Sequence, residues 1–369
     1  MVDMSYAQGN RARNFTKLFL KSLQSTPAEL KFFKLIAGAL ALWFGLSQIL
    51  SHIYPDEITS YDTISVYLGY AMRNGGTFIA LCGAVQFIRL LTATGDTPLL
   101  DYIKAQKNDI KLSALRTIIT SIIGLCFFTV FMVSFATIKT RIPAINPYNW
   151  DQSFMLLDRA LFFGRDPWTL FTWVYESPSL LRAMDVMYDV WAGLLVGVWA
   201  LCFINRNHTA QTRYRFPIAL MLTWFIGGTL LAILFSSVGP CYFALQTGAA
   251  GPYADQMAAL NQLHEETPLR AIAYQELLWK VYQSDSYGFG GISAMPSMHC
   301  GTSALLVLFA WKHPIWRSIA LAFFMFIFIA SFMLAWHYAV DGLVVLPVVL
   351  FAWWAAGKIA SKLARPAHD

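Results

Sequence analysis

Charge is scarce in this chain: 13% of its 369 positions are Asp, Glu, Lys or Arg, while 57% are hydrophobic and 15% aromatic. So little charge cannot solvate a single water-soluble globule, and the chain reads as an integral membrane protein. The first 30 residues lack the short apolar core before small residues that marks a cleavable signal peptide. The first apolar span is therefore expected to serve as the insertion signal. Internal repeats, low-complexity tracts and long linkers are absent as well. Cysteine is thin, with five residues. Cys82, Cys126 and Cys202 fall inside apolar runs and read as small hydrophobes, whereas Cys241 and Cys300 fall at the outer ends of spans, where pairing stays open.

What is present is a series of about eight apolar stretches near the length that crosses a bilayer. They lie near 33 to 53, 72 to 91, 115 to 138, 183 to 204, 216 to 237, 297 to 313, 315 to 336 and 338 to 359. The expected fold is all-α, a polytopic membrane helix bundle with a six-helix catalytic core. The net charge of +6 is no nucleic-acid footprint, because the basic residues sit in short segments beside the spans. They report topology instead. Arg11, Arg13, Lys17, Lys21, Lys31 and Lys34 put the N-terminus in the cytoplasm, and threading the spans from there leaves all five inward segments basic. Both termini are then cytoplasmic. The division expected is a basic segment 1–32, an appended transmembrane pair with its inner loop 33–114, a core 115–360 with long outer loops 139–182 and 238–296, and a tail 361–369.

In the first outer loop the spacing of aromatics and charges predicts an amphipathic helix, roughly Asp151 to Phe163, lying in the membrane interface. A simple aromatic belt anchoring the loop is the equal alternative. The second outer loop carries a polar helical stretch, P-L-R-A-I-A-Y-Q-E-L-L-W-K-V-Y, and ends in Gly288, Gly290 and Gly291. A loop of that length in a compact bundle is usually functional, so a lid over a substrate is expected.

Ionisable residues beside membrane spans point to function. His337 and Asp341 stand four positions apart, on one helix face about 5 to 6 Å apart at the β-carbons. The carboxylate can fix the imidazole tautomer, which leaves the other ring nitrogen as a lone pair for an electrophile. In Pro296-Ser297-Met298-His299, proline and serine suit a helix start. A helix N-terminus is a ready phosphate site, and His299 in the first turn can protonate a departing alkoxide. Span six runs inward and span seven returns, so His299 and His337 are expected at one outer level. At roughly 17 residues span six covers only about 25 Å, which sets the site below the outer interface. His299, His337 and Asp341 are the candidate catalytic residues, with no metal and no cofactor.

These residues resemble the type 2 phosphatidic acid phosphatase superfamily, whose later motifs are P-S-G-H and S-R-x-x-x-x-x-H-x-x-x-D. Here they stand as Pro296-Ser297-Met298-His299 and as His337 with Asp341. The wording A-M-P-S-M-H-C-G and H-Y-A-V-D-G, with I-P-A-I-N-P-Y-N-W-D and S-S-V-G-P-C-Y-F, looks closer to the branch of inositol phosphorylceramide synthase and is similar to sphingomyelin synthase. The resemblance covers roughly Leu115 to Lys358. It implies that His337 is the nucleophile of a phosphohistidine, Asp341 its orienting partner and His299 the general acid. The chain departs from the broader pattern at Ser331, where an arginine is expected, and at Gly239-Pro240-Cys241-Tyr242, where a K-x-x-x-x-x-x-R-P is expected. Without those cations the phosphate is left to the start of span six and to Lys139, Arg141, Arg270 or Lys280. The candidate substrate-binding residues are Ser297, Tyr242, Arg141 and Lys139.

The function implied is a metal-independent lipid phosphotransferase or phosphatase, tilted towards headgroup transfer of the inositol phosphorylceramide synthase type. Its partners are a membrane lipid and an alcohol or water acceptor, met on the exoplasmic face. A simple lipid-phosphate phosphohydrolase is the alternative within that chemistry. Two readings of other classes stand beside it: a metalloenzyme with a two-histidine, one-carboxylate site, and a non-catalytic lipid carrier.

Overall fold

The computed structural model describes residues 26–55, 64–69, 72–73, 107–204, 209–249, 251–283 and 290–365. Ten helices position the site: α1 (Pro27–Ile53), α2 (Lys107–Lys139), α3 (Asp151–Leu161), α4 (Pro178–Ile204), α5 (Ala210–Phe225), α6 (Ala254–Glu266), α7 (Arg270–Gln283), α8 (Met298–Ala310), α9 (Pro314–Met333) and α10 (Ala339–Ala364). No strand occurs among the described residues, and the molecule is an all-α membrane helix bundle. Six helices are long and apolar enough to cross a membrane: α1, α2 from Ala114, α4, α5 with its extension to Leu234, α9 and α10. The expected span at 72 to 91 lies outside the described residues, apart from Met72 and Arg73.

Local chemistry sets several boundaries. Thr26 and Thr209 cap α1 and α5 by accepting from Glu29 N and Thr212 N, the usual satisfaction of a free helix-start amide. Pro178 opens α4 five positions ahead of the expected 183, since proline is preorganised for a first turn. The sixth span is shorter than expected and ends at Ala310 rather than 313. His313 precedes Pro314 and is pushed to an extended backbone, as steric contact with a proline ring requires. Thirteen residues reach only about 20 Å.

Packing follows a one-faced pattern at the periphery and an all-round one at the centre. On α1 the stripe Phe32, Ile36, Leu40 and Trp43 is buried against α2 while Leu35, Leu42 and Ile49 are exposed, the spacing of a lipid-facing helix. The centre is the pair α5 and α10, with α8 against both and α9 beside α8. Small residues permit these approaches: a β-carbon at Gly301 would stand 2.7 Å from Val345, and one at Gly342 2.7 Å from Phe328. Past Phe225, α5 widens into a π-helical stretch, Ile226–Leu231, whose Gly227 and Gly228 leave room for Met298 and Phe135.

The described parts of the two long loops are structured. The amphipathic helix expected near 151 to 163 is α3, and its buried face carries two aspartates, Asp151 and Asp158, beside Phe154 and Met155. The second loop folds into a short helix (Phe243–Thr247), α6 and α7. Cys241 and Cys300 are both buried and both free thiols.

Candidate active site

His337 sits in the turn between α9 and α10. Ala335 in that turn takes a left-handed backbone, φ 58°, a strained choice for a residue with a β-carbon. The turn is held from several sides: Ser331 O accepts from Trp336 N (3.0 Å) and His337 N (3.1 Å), and Ala335 O accepts from Cys241 N (2.9 Å). Gly239, at φ 94°, passes so close that a β-carbon would lie 2.7 Å from Trp336 O.

The His337 ring is fixed through one nitrogen. Nδ1 lies 2.8 Å from Ala294 O and 3.2 Å from Asp341 Oδ2. A carbonyl only accepts, so Nδ1 carries the proton and Nε2 keeps the lone pair. Asp341 is fully buried and also accepts from Tyr338 N at 3.1 Å.

His299 lies in the first turn of α8, which Ser297 caps by accepting from Cys300 N at 3.4 Å. Met295-Pro296 is a cis peptide immediately before it. The two histidine rings face each other edge to face, with centroids 5.9 Å apart. Both line one cavity of about 450 Å³, together with Lys139, Tyr188, Trp191, Tyr242, Asp189 and Arg270.

Two carboxylates of α3 brace this arrangement. Asp158 accepts from Ala339 N and Val340 N, both at 2.8 Å, and so receives the first amides of α10. Asp151 accepts from Val238 N, Gly239 N and the Tyr338 hydroxyl. Burial pushes the Asp158 carboxyl up to about 7 and raises Asp151 as well, against the lowering effect of these hydrogen bonds. On α4, Asp185 accepts from Arg270 N and Ala271 N at the start of α7, and Asp189 pairs with the Arg270 side chain at 2.8 Å.

The candidates named from sequence separate here. His299, His337, Lys139 and Tyr242 line the cavity. Asp341 stands behind His337. Tyr242 gives its hydroxyl to Gln275 O at 2.9 Å. Ser297 is fully buried and acts as the α8 cap. Arg141 does not line the cavity: its guanidinium donates to Thr137 O, Thr140 Oγ1, Ser51 Oγ and Tyr54 O. Lys280 is exposed on α7, away from the lining residues. Ser331 is buried with its hydroxyl given to Phe328 O, so no cation stands where the resemblance expects an arginine.

Sequence reasoning passed over Tyr188, Trp191, Asp185 and Asp189 on α4, and the bracing role of Asp151 and Asp158. The aspartates carried a signal, since carboxylates next to apolar spans are costly. The aromatics carried none.

No curated protein and no solved structure matches the chain. A family model described as the PAP2 superfamily matches residues 152–355, which takes in α4 to α10 and both histidine motifs. With that match over more than half of its length, the chain belongs to the PAP2 superfamily of membrane lipid phosphatases and phosphotransferases.

Proposed function

We propose that this protein transfers a phosphoryl or phospho-headgroup from a membrane lipid to His337 and then to an alcohol, in the manner of inositol phosphorylceramide synthase. The observation that carries the reading is the His337 ring, with Nδ1 committed to Ala294 O and Asp341 and Nε2 left at the wall of a cavity that His299 shares. Nε2 attacks phosphorus while His299 protonates the departing alkoxide, and in the second half His299 takes the proton of the acceptor hydroxyl. Asp341 stabilises the charge that His337 acquires. Lys139 supplies the cation for the phosphate, since it lines the cavity and its charge acts on both histidines. Arg270, in contrast, is engaged with Asp189.

The missing cations at Ser331 and Gly239-Pro240 favour a transferase over a phosphohydrolase. A phosphate monoester carries more charge than a diester and needs more cationic compensation. A metal site is a poor fit, because Asp341 approaches His337 from the Nδ1 side, away from the cavity, and no three His, Cys, Asp or Glu side chains converge among the described residues. The basic segments beside the spans support a site on the exoplasmic side, with both termini in the cytoplasm.

The test is reconstitution in vesicles holding phosphatidylinositol labelled in its headgroup, with and without a ceramide acceptor. Transfer of label to the acceptor lipid is expected. Release of free phosphate or inositol phosphate regardless of acceptor would establish a hydrolase, and no chemistry at all would leave a carrier.

A further inference from the structure

His299 is held in a different way from its partner. No hydrogen bond to its ring is present among the described residues, whereas His337 is tied to a carbonyl and a carboxylate. Two rings of α4, three positions apart on one helix face, take the place of such bonds. Tyr188 stacks on the imidazole with centroids 4.5 Å apart and planes at 22°, and Trp191 lies 4.1 Å away at 40°. Both side chains are buried, and Trp191 is itself backed by Trp224, at 6.3 Å and 12°. Trp224 in turn donates to Thr302 Oγ1 on α8, the helix that carries His299.

That setting bears on a specific difficulty. To protonate a leaving alkoxide, His299 must pass through its imidazolium form. Among the described residues no carboxylate is hydrogen-bonded to it, while the charges of Lys139 and His337 act on it. A cation against aromatic rings is attracted by their quadrupoles, most strongly by tryptophan. The same rings limit the tilt of the imidazole at the cavity wall.

We infer that Tyr188 and Trp191 are positioning residues for the general acid, an aromatic counterpart on His299 of what Asp341 is on His337. The inference rests on the phosphohistidine reading above. In the step concerned, the bond from phosphorus to the leaving oxygen breaks as the bond from His337 Nε2 to phosphorus forms. The proton of the His299 imidazolium goes to the departing oxygen and leaves His299 neutral. The second half-reaction returns a proton to His299 from the acceptor hydroxyl. Tyr188 and Trp191 touch no reacting atom and act only through the His299 ring.

In the first half-reaction a structural role alone would slow every substrate alike, whereas an acid-positioning role slows only those whose leaving group needs a proton. The experiment compares phosphatidylinositol and phosphatidic acid, which expel a diacylglycerol alkoxide, with 4-nitrophenyl inositol phosphate and 4-nitrophenyl phosphate, which expel a stable phenolate. Tyr188→Leu and Trp191→Leu are each expected to slow phosphoenzyme formation from the lipid substrates in a single turnover about 10-fold, with phosphoenzyme formation from the nitrophenyl substrates within about threefold of the unaltered protein. Tyr188→Phe and Trp191→Phe, which keep a ring over His299, are expected to restore most of the lipid rate. Equal losses on both substrate classes, or no loss on either, would overturn the inference and leave the underlying reading intact. If the unaltered protein forms no phosphoenzyme and turns over neither class, it is the phosphohistidine reading that fails.

Discussion

His337, Asp341 and His299, the catalytic residues of the proposed mechanism, could be singled out one by one because chemistry fixes their spacing. A carboxylate one turn from an imidazole, and a second histidine one helical hairpin away, have few other reasons to occur at one membrane level. Tyr188 and Trp191 were not legible, since an aromatic at helical spacing in an apolar span looks the same whether it faces a neighbour or a catalytic ring. At this scale Asp341→Asn is expected to keep the fold yet lose about four orders of magnitude in rate, as the comparable change does in a protease triad. Turnover with matched thermal melts checks it. Asp158 makes a separate prediction about stability. Its folded pKa, about 7, lies above the ordinary carboxylate value near 4. Its contribution to stability is therefore full below about pH 4 and is lost as pH rises through about 7. Asp158→Asn forfeits one of two backbone hydrogen bonds, at a cost of about 2 kcal/mol. The gap in Tm between the variant and the unaltered protein should narrow between about pH 4 and pH 7, and a gap that stays constant would show the carboxyl to be ionised throughout.

Among the elements, the long spans could be read from hydropathy and α3 from its periodicity. The shape that serves the site could not. The π-helical stretch after Phe225 and the 13-residue length of α8 depend on glycines meeting Met298 and Phe135 and on the proline that stops α8. The glycine contacts join segments distant in sequence, whereas the stop at His313-Pro314 is local. The buried face of α3 shows the same limit: periodicity located the helix, while the partners of Asp151 and Asp158 lie at 238–239 and 338–340. One element-scale prediction follows from Gly291. A β-carbon there would stand 2.5 Å from Lys139 O and 2.6 Å from Lys139 C, and backbone atoms cannot step aside. Gly291→Ala is expected to displace the end of α2 with the Lys139 ammonium and to raise KM for the phospholipid about 10-fold, measured on protein that still gives a cooperative thermal melt. Unchanged KM with a lowered kcat would show that Lys139 is not the phosphate cation.

For the molecule as a whole, the membrane class followed from composition and the superfamily from two short motifs. The sidedness of the site rests on basic segments alone. Impermeant cysteine labelling in sealed cells should reach a cysteine placed at His264 on α6 and spare one placed at Ser361 near the end of α10. Labelling of position 361 would invert the topology and the face of the site with it. Activity should also survive chelation of divalent ions, because the histidine pair supplies both nucleophile and acid. The most direct test of the account is the covalent intermediate itself, read as acid-labile radioactivity on the protein after exposure to a phosphorus-labelled lipid and rapid quenching. The account predicts label on the unaltered chain, none on His337→Ala, and label still trapped on His299→Ala from a substrate with a nitrophenyl leaving group. Label that persists in His337→Ala and disappears in His299→Ala would contradict it.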